Sequence, residues 1–298
     1  MCSSNTQAYV LALRPWTYAQ SVFPAALGAS IAYADMHEVQ LLAVVLSLLI
    51  VLSVHSAGNL VNTYDDYIRG VDDSDSADDR TLVDSRLTAL TVQYMGTGFY
   101  IVGLLLFGCL CLISRTSPLL LSFMFFGGLS GSFLYTREPA VLKHIGWGDL
   151  VVVITFGPLT TLFTYLSTGG AIYAVRWLEV VVLALPMAFL TEAVLHSKHT
   201  RDGERNRKQK PATLASLLNR GWSHIWYCLM IFVPYGFLTV LSVWYSVLFC
   251  LPFVTLPHAF TIEKDFRFGR MRSVPQQTGK LGAIFSLLYV PVFLYVSV

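Results

Sequence analysis

The sequence predicts an all-α integral membrane domain of about nine transmembrane helices, and three observations predict it. Of its 298 residues, 55% are hydrophobic and only 13% charged, a balance beyond what a soluble domain of this length needs for its core. Mean hydropathy is +0.60. Apolar runs recur from end to end, each near the ~20 residues a helix needs to cross bilayer hydrocarbon. Transmembrane strands would alternate apolar and polar residues, and these runs do not.

The first run, 17–34, follows RPW and carries Pro24 and Gly28. It lacks the basic start, short apolar core and cleavage site of a signal peptide, so it is expected to stay as a span. The second, 41–63, ends in an aspartate-rich loop; the third and fourth, 94–114 and 117–135, are joined by a short turn. The fifth, 148–166, and the sixth, 174–197, lead into a long basic segment, and 223–242, 244–262 and 281–298 complete the series. Neither linker nor internal repeat interrupts the chain, which predicts one domain over residues 1–298.

With nine spans, the N-terminus and the loops after spans two, four, six and eight share one face. That face holds Arg14, Arg69, Arg80, Arg86, Arg137, Lys143, the cluster from Lys198 to Arg220, and Lys264 to Lys280, which is 18 of the 20 basic residues. The positive-inside rule makes it cytoplasmic. These basic residues line a membrane face, and no nucleic-acid partner is expected. The five cysteines, Cys2, Cys109, Cys111, Cys228 and Cys250, form no Cys-x-x-Cys pair, so small buried hydrophobes are expected and neither disulfides nor zinc are implied. His55 and His196 read as packing or interfacial residues.

The stretch GNLVNTYDDYIRGVDDSDSADDRTLVD, residues 58–84, gathers eight of the chain's aspartates where the second run ends. Asn62 and Asp66 stand at i and i+4, so on a continuing helix their oxygens share one face. Asp72 follows after a glycine that can turn the chain. Three converging oxygen ligands at a membrane surface suit Mg²⁺, which keeps several waters and completes its shell with phosphate oxygens. Other aspartates of the stretch must be solvated, and an EF-hand is excluded by the missing Gly and terminal Glu. A second polar segment, LTEAVLHSKHTRDGERNRKQKPATLA, repeats the device: Asp202 and Asn206 stand at i and i+4 among Arg201, Arg205, Arg207 and Lys208. Two such segments on one face would hold a diphosphate through bridging metal ions.

The chain resembles the UbiA-type membrane prenyltransferases, and within them the animal members linked to menaquinone-4 synthesis. The resemblance rests on YVLALRPWTYAQSVFPAALG, HSAGNLVNTYDDYIRGVD, SADDRTLVD, FGGLSGSFLYT, GWGDLVVVITFGPL, TEAVLHS with TRD, and VPQQTGKLG. It implies helices around a central cavity open toward lipid, with two Asp-rich motifs at the cytoplasmic mouth of an endomembrane (ER or Golgi) or mitochondrial protein. By position, Asn62, Asp66 and Asp72 match the first metal motif, and Arg201 and Asp202 the second. Tyr135 and Lys143 match groups near the diphosphate and the acceptor, and Asp79 and Arg80 match the animal Asp-Asp-Arg run. The second motif departs from the family. Lys198 and His199 stand where two Asn are expected, and Asn206 where an Asp is expected.

The resemblance implies Mg²⁺-dependent alkylation of a naphthoquinol-type aromatic acceptor by a prenyl diphosphate such as geranylgeranyl diphosphate, with lipid around the prenyl tail. Catalytic roles fall to Asp66, Asp202 and Tyr135, diphosphate contacts to Arg80, Lys143, Lys198 and Arg201, and metal ligation to Asn62, Asp66, Asp72, Asp202 and Asn206. Two other functions stay open: a prenyl-diphosphate binding or regulatory protein that has lost catalysis through the altered motif, and a UbiA-like terpene cyclase. Protein partners are not readable from the sequence.

Overall fold

The computed structural model describes residues 2–68, 70, 79–129, 148–171, 174–205 and 213–296. Asp72, Tyr135, Lys143 and Asn206 lie outside these described residues. The described chain is helical. Helix α1 spans Cys2–Ala12, α2 Ala19–Met36, α3 Leu41–Ile68, α4 Ala89–Ile113 and α5 Pro118–Met124. Then follow α6 Gly148–Ile154, α7 Thr160–Ser167, α8 Ala174–Arg205, α9 Leu214–Leu217, α10 Arg220–Trp244, α11 Leu256–Arg267 and α12 Val274–Tyr289.

Seven helical stretches among the described residues are long and apolar enough to cross a membrane, and Pro118–Gly128 is a shorter apolar one. The expected count of nine is not reached on these grounds. Helix α2, diluted by Gln20, Ser21, Ser30 and Asp35, is not among the seven, and the fourth run is described only in part. The outer surface has the composition that lipid selects: Leu112 is 87% exposed and Leu119 81%, an arrangement costly in water and neutral in hydrocarbon. This is an integral, multi-pass membrane protein.

Helix ends follow local chemistry. Thr88 Oγ1 accepts from Thr91 N (3.1 Å) to cap α4, and Asn219 Oδ1 accepts from Trp222 N (3.0 Å) to cap α10, each satisfying a donor that the first helical turn leaves open. Two π-helical turns, Phe125–Leu129 and Thr155–Leu159, interrupt the bundle. The second contains Pro158, which has no N–H to give an α-helical bond, so the wider turn relieves a defect that Pro would impose anyway.

Helix α3 lies along α4, while α2 packs on α7, and α8 contacts α10 and α12. Where α2 crosses α7 the backbones touch: a Cβ at Gly28 would press into the Thr161 carbonyl and lie 2.8 Å from Tyr165 N. The core between α10, the 3-10 turns Val247–Thr255, and α12 with its 3-10 extension Val290–Leu294 is aromatic, with Tyr235, Phe249, Phe285, Tyr289 and Phe293 in tilted and edge-to-face contacts. These geometries suit ring quadrupoles.

Helix α1 was not anticipated. It is short of a span, yet Ala8 and Ala12 pack in a small second core with Leu60, Leu82, Leu87 and Val92. That anchorage fixes where the chain enters α2.

Candidate functional site

A cavity of about 190 Å³ opens among α2, α3, the α6 segment with its π-turn, and α8. Its α3 wall is Val51, Val54, His55, Gly58, Asn59 and Asn62, one face of a 3.6-residue period. The α8 wall is Thr191, Val194, Leu195 and Lys198, spaced the same way. Phe156 and Thr155 of the π-turn, with Val151 and Val152, close the third side, and Arg14, Thr17, Gln20 and Ser21 the fourth. Valines, Leu195 and Phe156 supply most of the surface, with His55, Ser21, Thr155, Thr160 and Thr191 set among them. Asn62 and Lys198 are the last lining residues along α3 and α8 and share the rim.

Both sequence motifs therefore meet at one end of the bundle. The opposite end is marked by Asp35 at the end of α2, whose Oδ2 accepts from Tyr165 Oη (2.7 Å) and Arg176 Nε (2.8 Å). Asp66 and Asp202 each stand four residues past a rim residue, about 6 Å farther along their helices at 1.5 Å per residue. Neither is among the residues that line the cavity. Helix α8 runs to Arg205, so Lys198, Arg201 and Asp202 are helical where a loop was expected after residue 197.

Other expected residues lie elsewhere. Arg80 donates from Nε and Nη2 to Asp84 Oδ1 at 3.2 and 2.9 Å, is half exposed, and does not line the cavity. Arg201 Nε donates to Asp202 Oδ1 (2.7 Å), and the Arg201 side chain lines a cleft with Asp265, Met271 and Ser273 at the α11–α12 turn. His199 points to Asp149, with Nδ1 3.5 Å from Oδ1, while Asp149 Oδ2 accepts from Leu214 N (3.0 Å). Asp66 is buried, at 8% exposure, although the end of a helix would leave it in water.

Sequence reasoning missed the support of the rim. Arg14, counted only as a topology charge, is 4% exposed and lines the cavity. Its backbone is left-handed, φ 51°, which costs a residue with a Cβ about 1 kcal/mol. Contacts hold it there: Nε donates to Asp79 Oδ2 (2.8 Å), Nη2 donates to Thr63 Oγ1 (2.8 Å), and its carbonyl accepts from Thr17 Oγ1 (2.8 Å). Asp79 uses both oxygens, accepting also from Thr63 Oγ1 (2.9 Å), Thr81 N (3.0 Å) and Thr81 Oγ1 (2.6 Å). Burial raises the Asp79 pKa, but the Arg14 charge and these hydrogen bonds outweigh it and hold the carboxyl below its ordinary value. Asp79 is a staple between the N-terminal turn, α3 and the loop before α4. Asn59 Nδ2 reinforces it, donating to Leu13 O (3.0 Å) and Thr17 Oγ1 (3.1 Å). Asn59 was legible as a neighbour of Asn62, three residues back on the same helix face.

His55 also lines the cavity, its Nδ1 2.8 Å from Ser21 Oγ and Nε2 3.1 Å from Thr17 Oγ1, with its ring edge-on to Phe156. His196 is buried against Ser223 Oγ (2.8 Å). Both are packing residues, as expected. Cys109 and Cys250 are exposed on lipid-facing helices, so burial does not extend to them.

The sequence profile of the UbiA prenyltransferase family matches residues 21–278. The chain belongs to the UbiA prenyltransferase family. It is 43% identical to the UbiA prenyltransferase domain-containing protein 1 of Xenopus tropicalis, over 95% of this chain and 80% of that one. It is 43% identical to the Drosophila melanogaster homolog, over 95% and 78%, and 41% identical to the Homo sapiens protein, over 95% and 82%. Among solved structures, the UbiA fold recurs in an apo homolog from Aeropyrum pernix K1 (TM-score 0.66, 14% identity, 90% of this chain and 96% of that one). It recurs also in a homolog from Archaeoglobus fulgidus bound to GPP and Mg²⁺ (TM-score 0.59, 14% identity, 97% and 99%). At that identity the likeness is one of fold.

The donor set of this UbiA member fits a hard divalent cation on its α3 side. Asn62 lines the cavity and Asp66 follows one turn farther along α3, so the helix supplies two oxygen-bearing side chains, with Asp65 adjacent in the chain. On the α8 side the fit is poorer, since Lys198 brings an ammonium to the rim and Asp202 is bonded to Arg201.

Proposed function

We propose that this chain transfers a prenyl group of geranylgeranyl type from an allylic diphosphate to a naphthoquinol-type aromatic acceptor, with Mg²⁺, as in menaquinone-4 synthesis. One observation carries this: Asn62 and Lys198, from the two polar motifs, share the rim of a single cavity whose surface is mostly apolar, from valine, leucine and phenylalanine. A substrate with an anionic head and an insoluble tail needs that pairing.

Asn62 and Asp66 would hold Mg²⁺ from α3, with Asp72, Asp202 and Asn206 as further ligands. The ion supplies charge stabilisation for the departing diphosphate when bound. Lys198 adds a fixed ammonium at the rim. Arg14, already balanced by Asp79, orients the head more than it attracts it. As the C–O bond breaks, its electron pair leaves with the diphosphate. The allylic cation is then shielded from water by Val151, Val152, Phe156 and Val194 until the acceptor's ring carbon forms the new C–C bond and loses its proton. Catalytic or binding roles for Tyr135, Lys143, Arg80 and Arg201 rest on the family resemblance. The same proposal treats residues 1–298 as one domain. It sets the cavity mouth toward the cytoplasm in an endomembrane or mitochondrial membrane, following the basic-residue count.

The Lys198 ammonium favours a second function, a prenyl-diphosphate binding protein without turnover. Purified protein incubated with geranylgeranyl diphosphate and Mg²⁺, with and without menadiol, separates the possibilities. Pyrophosphate release only with menadiol supports transfer, release without it supports cyclisation or hydrolysis, and binding without release supports the binding protein.

A further inference from the structure

His224, Cys228 and Glu263 form a cluster outside the cavity, sharing no residue with it. His224 and Cys228 stand at i and i+4 on α10, hence on one face. Glu263 faces them from α11. His224 Nε2 is 2.7 Å from Glu263 Oε1 and 3.3 Å from Cys228 Sγ. All three candidate ligand atoms lie within 4.8 Å of one another.

We propose that these three side chains form a site for a divalent transition-metal ion of the Zn²⁺ class, which clamps α10 to α11. The chemistry of the set selects the class. Imidazole nitrogen and thiolate sulfur suit zinc-like ions and suit Mg²⁺ or Ca²⁺ poorly. Tetrahedral ligands at about 2.0–2.3 Å from an ion stand about 3.3–3.6 Å apart. The sulfur–nitrogen pair is already near that spacing, and the nitrogen–oxygen pair needs to open by about 0.6 Å. Three protein ligands leave a fourth position for water.

Surrounding residues fix the geometry and give access. The Phe266 ring lies near-parallel to His224, with centroids 6.2 Å apart and planes at 26°, which orients the imidazole. His224 is in the second turn of α10, two residues after the exposed Trp222, and Glu263 is in the last turns of α11, five residues before the exposed Phe268. Exposed aromatics of this kind mark a membrane–water boundary, so an ion would arrive from water and not through lipid. Glu263 Oε1 also lies 3.4 Å from Arg267 Nε, but Arg267 is exposed and water can take its place. On binding, the Cys228 thiol proton passes to water and His224 keeps its remaining hydrogen on Nδ1, leaving Nε2 to coordinate.

The test is titration of the purified full-length protein in detergent with Co²⁺ alone, followed by Zn²⁺. One equivalent of Co²⁺ should give a near-ultraviolet thiolate-to-metal charge-transfer band that Zn²⁺ abolishes. Cys228→Ser should remove the band, and His224→Gln and Glu263→Gln should weaken Co²⁺ binding at least about 10–100-fold, the loss that even outer partners produce. Size-exclusion elution and helical circular dichroism report whether each variant is folded. Wild-type protein gives an independent readout: Zn²⁺ should protect Cys228 from N-ethylmaleimide, read by mass spectrometry, while leaving Cys109 and Cys250 reactive. No band in the wild type, an undiminished band in folded Cys228→Ser, or no protection of Cys228 would overturn the proposal.

Discussion

Asp79→Ala tests whether the polar rim depends on a buried staple behind it. The substitution removes four hydrogen-bond acceptances and the charge that balances Arg14, and the two side chains are only 2% and 5% exposed. Removing one partner of a buried ion pair costs about 3–5 kcal/mol, because the other charge stays out of water. The lower end applies here, since Thr63 Oγ1 still accepts from Arg14. A loss of about 3 kcal/mol lowers the folded-to-unfolded ratio more than a hundredfold. The control is Asp84→Ala, which breaks the Arg80 and Arg86 pairs. Arg80 is 51% exposed and Arg86 49%, and each such pair contributes about 0–1 kcal/mol. Both variants are unfolded in mixed detergent micelles and followed by circular dichroism. Asp79→Ala should lower the midpoint clearly and Asp84→Ala hardly at all. Equal losses, or an Asp79→Ala midpoint matching wild type, would refute the reasoning.

The Asp79 carboxyl is held below its ordinary 3.8, so its contribution is complete above about pH 4 and is lost as pH falls through the folded value; wild type should weaken below that point, and Asp79→Asn should lack that acid limb in unfolding midpoints against pH. Gly28→Ala should destabilise by about 1–3 kcal/mol, since backbone on α7 cannot yield. Gly236→Ala, with nothing within 4 Å of the new Cβ, should be neutral or gain about 0.5–1 kcal/mol in the same assay. Lys198→Asn should weaken geranylgeranyl diphosphate binding, and Lys198→Asn with Asn206→Asp should restore a steep Mg²⁺ dependence in equilibrium binding; tighter binding or faster turnover by Lys198→Asn alone would make the lysine an obstruction. Single cysteines at Ser74 and Ser216 should react with an impermeant thiol reagent only from the cytoplasmic face, and labelling from the lumenal side of intact vesicles would invert the topology.

The sequence by itself determined the class of fold and the polar end of α3. Apolar runs of spanning length are a local property, because lipid requires each span to satisfy its own backbone. The spacing of Asn62 and Asp66 is also local, set by the helical period alone. Helix α1 and the length of α8 were not legible. Cys2–Ala12 is too short and mixed to announce a span, and polar residues beyond 197 hid a helix that runs on to Arg205. Only the tertiary structure decided which charges serve the rim. Arg14, Thr63 and Asp79 are separated by up to 65 residues, and a buried ion pair depends on which helices pack, which no local pattern encodes. The same packing turned Arg80 toward Asp84 and Arg201 toward the α11–α12 cleft while leaving Lys198 at the cavity, because residues three apart on a helix point about 60° away from each other. Glu263 met His224 and Cys228 for the same reason: Glu263 lies 35 positions after Cys228 in the chain, and only the contact of α10 with α11 closes that distance.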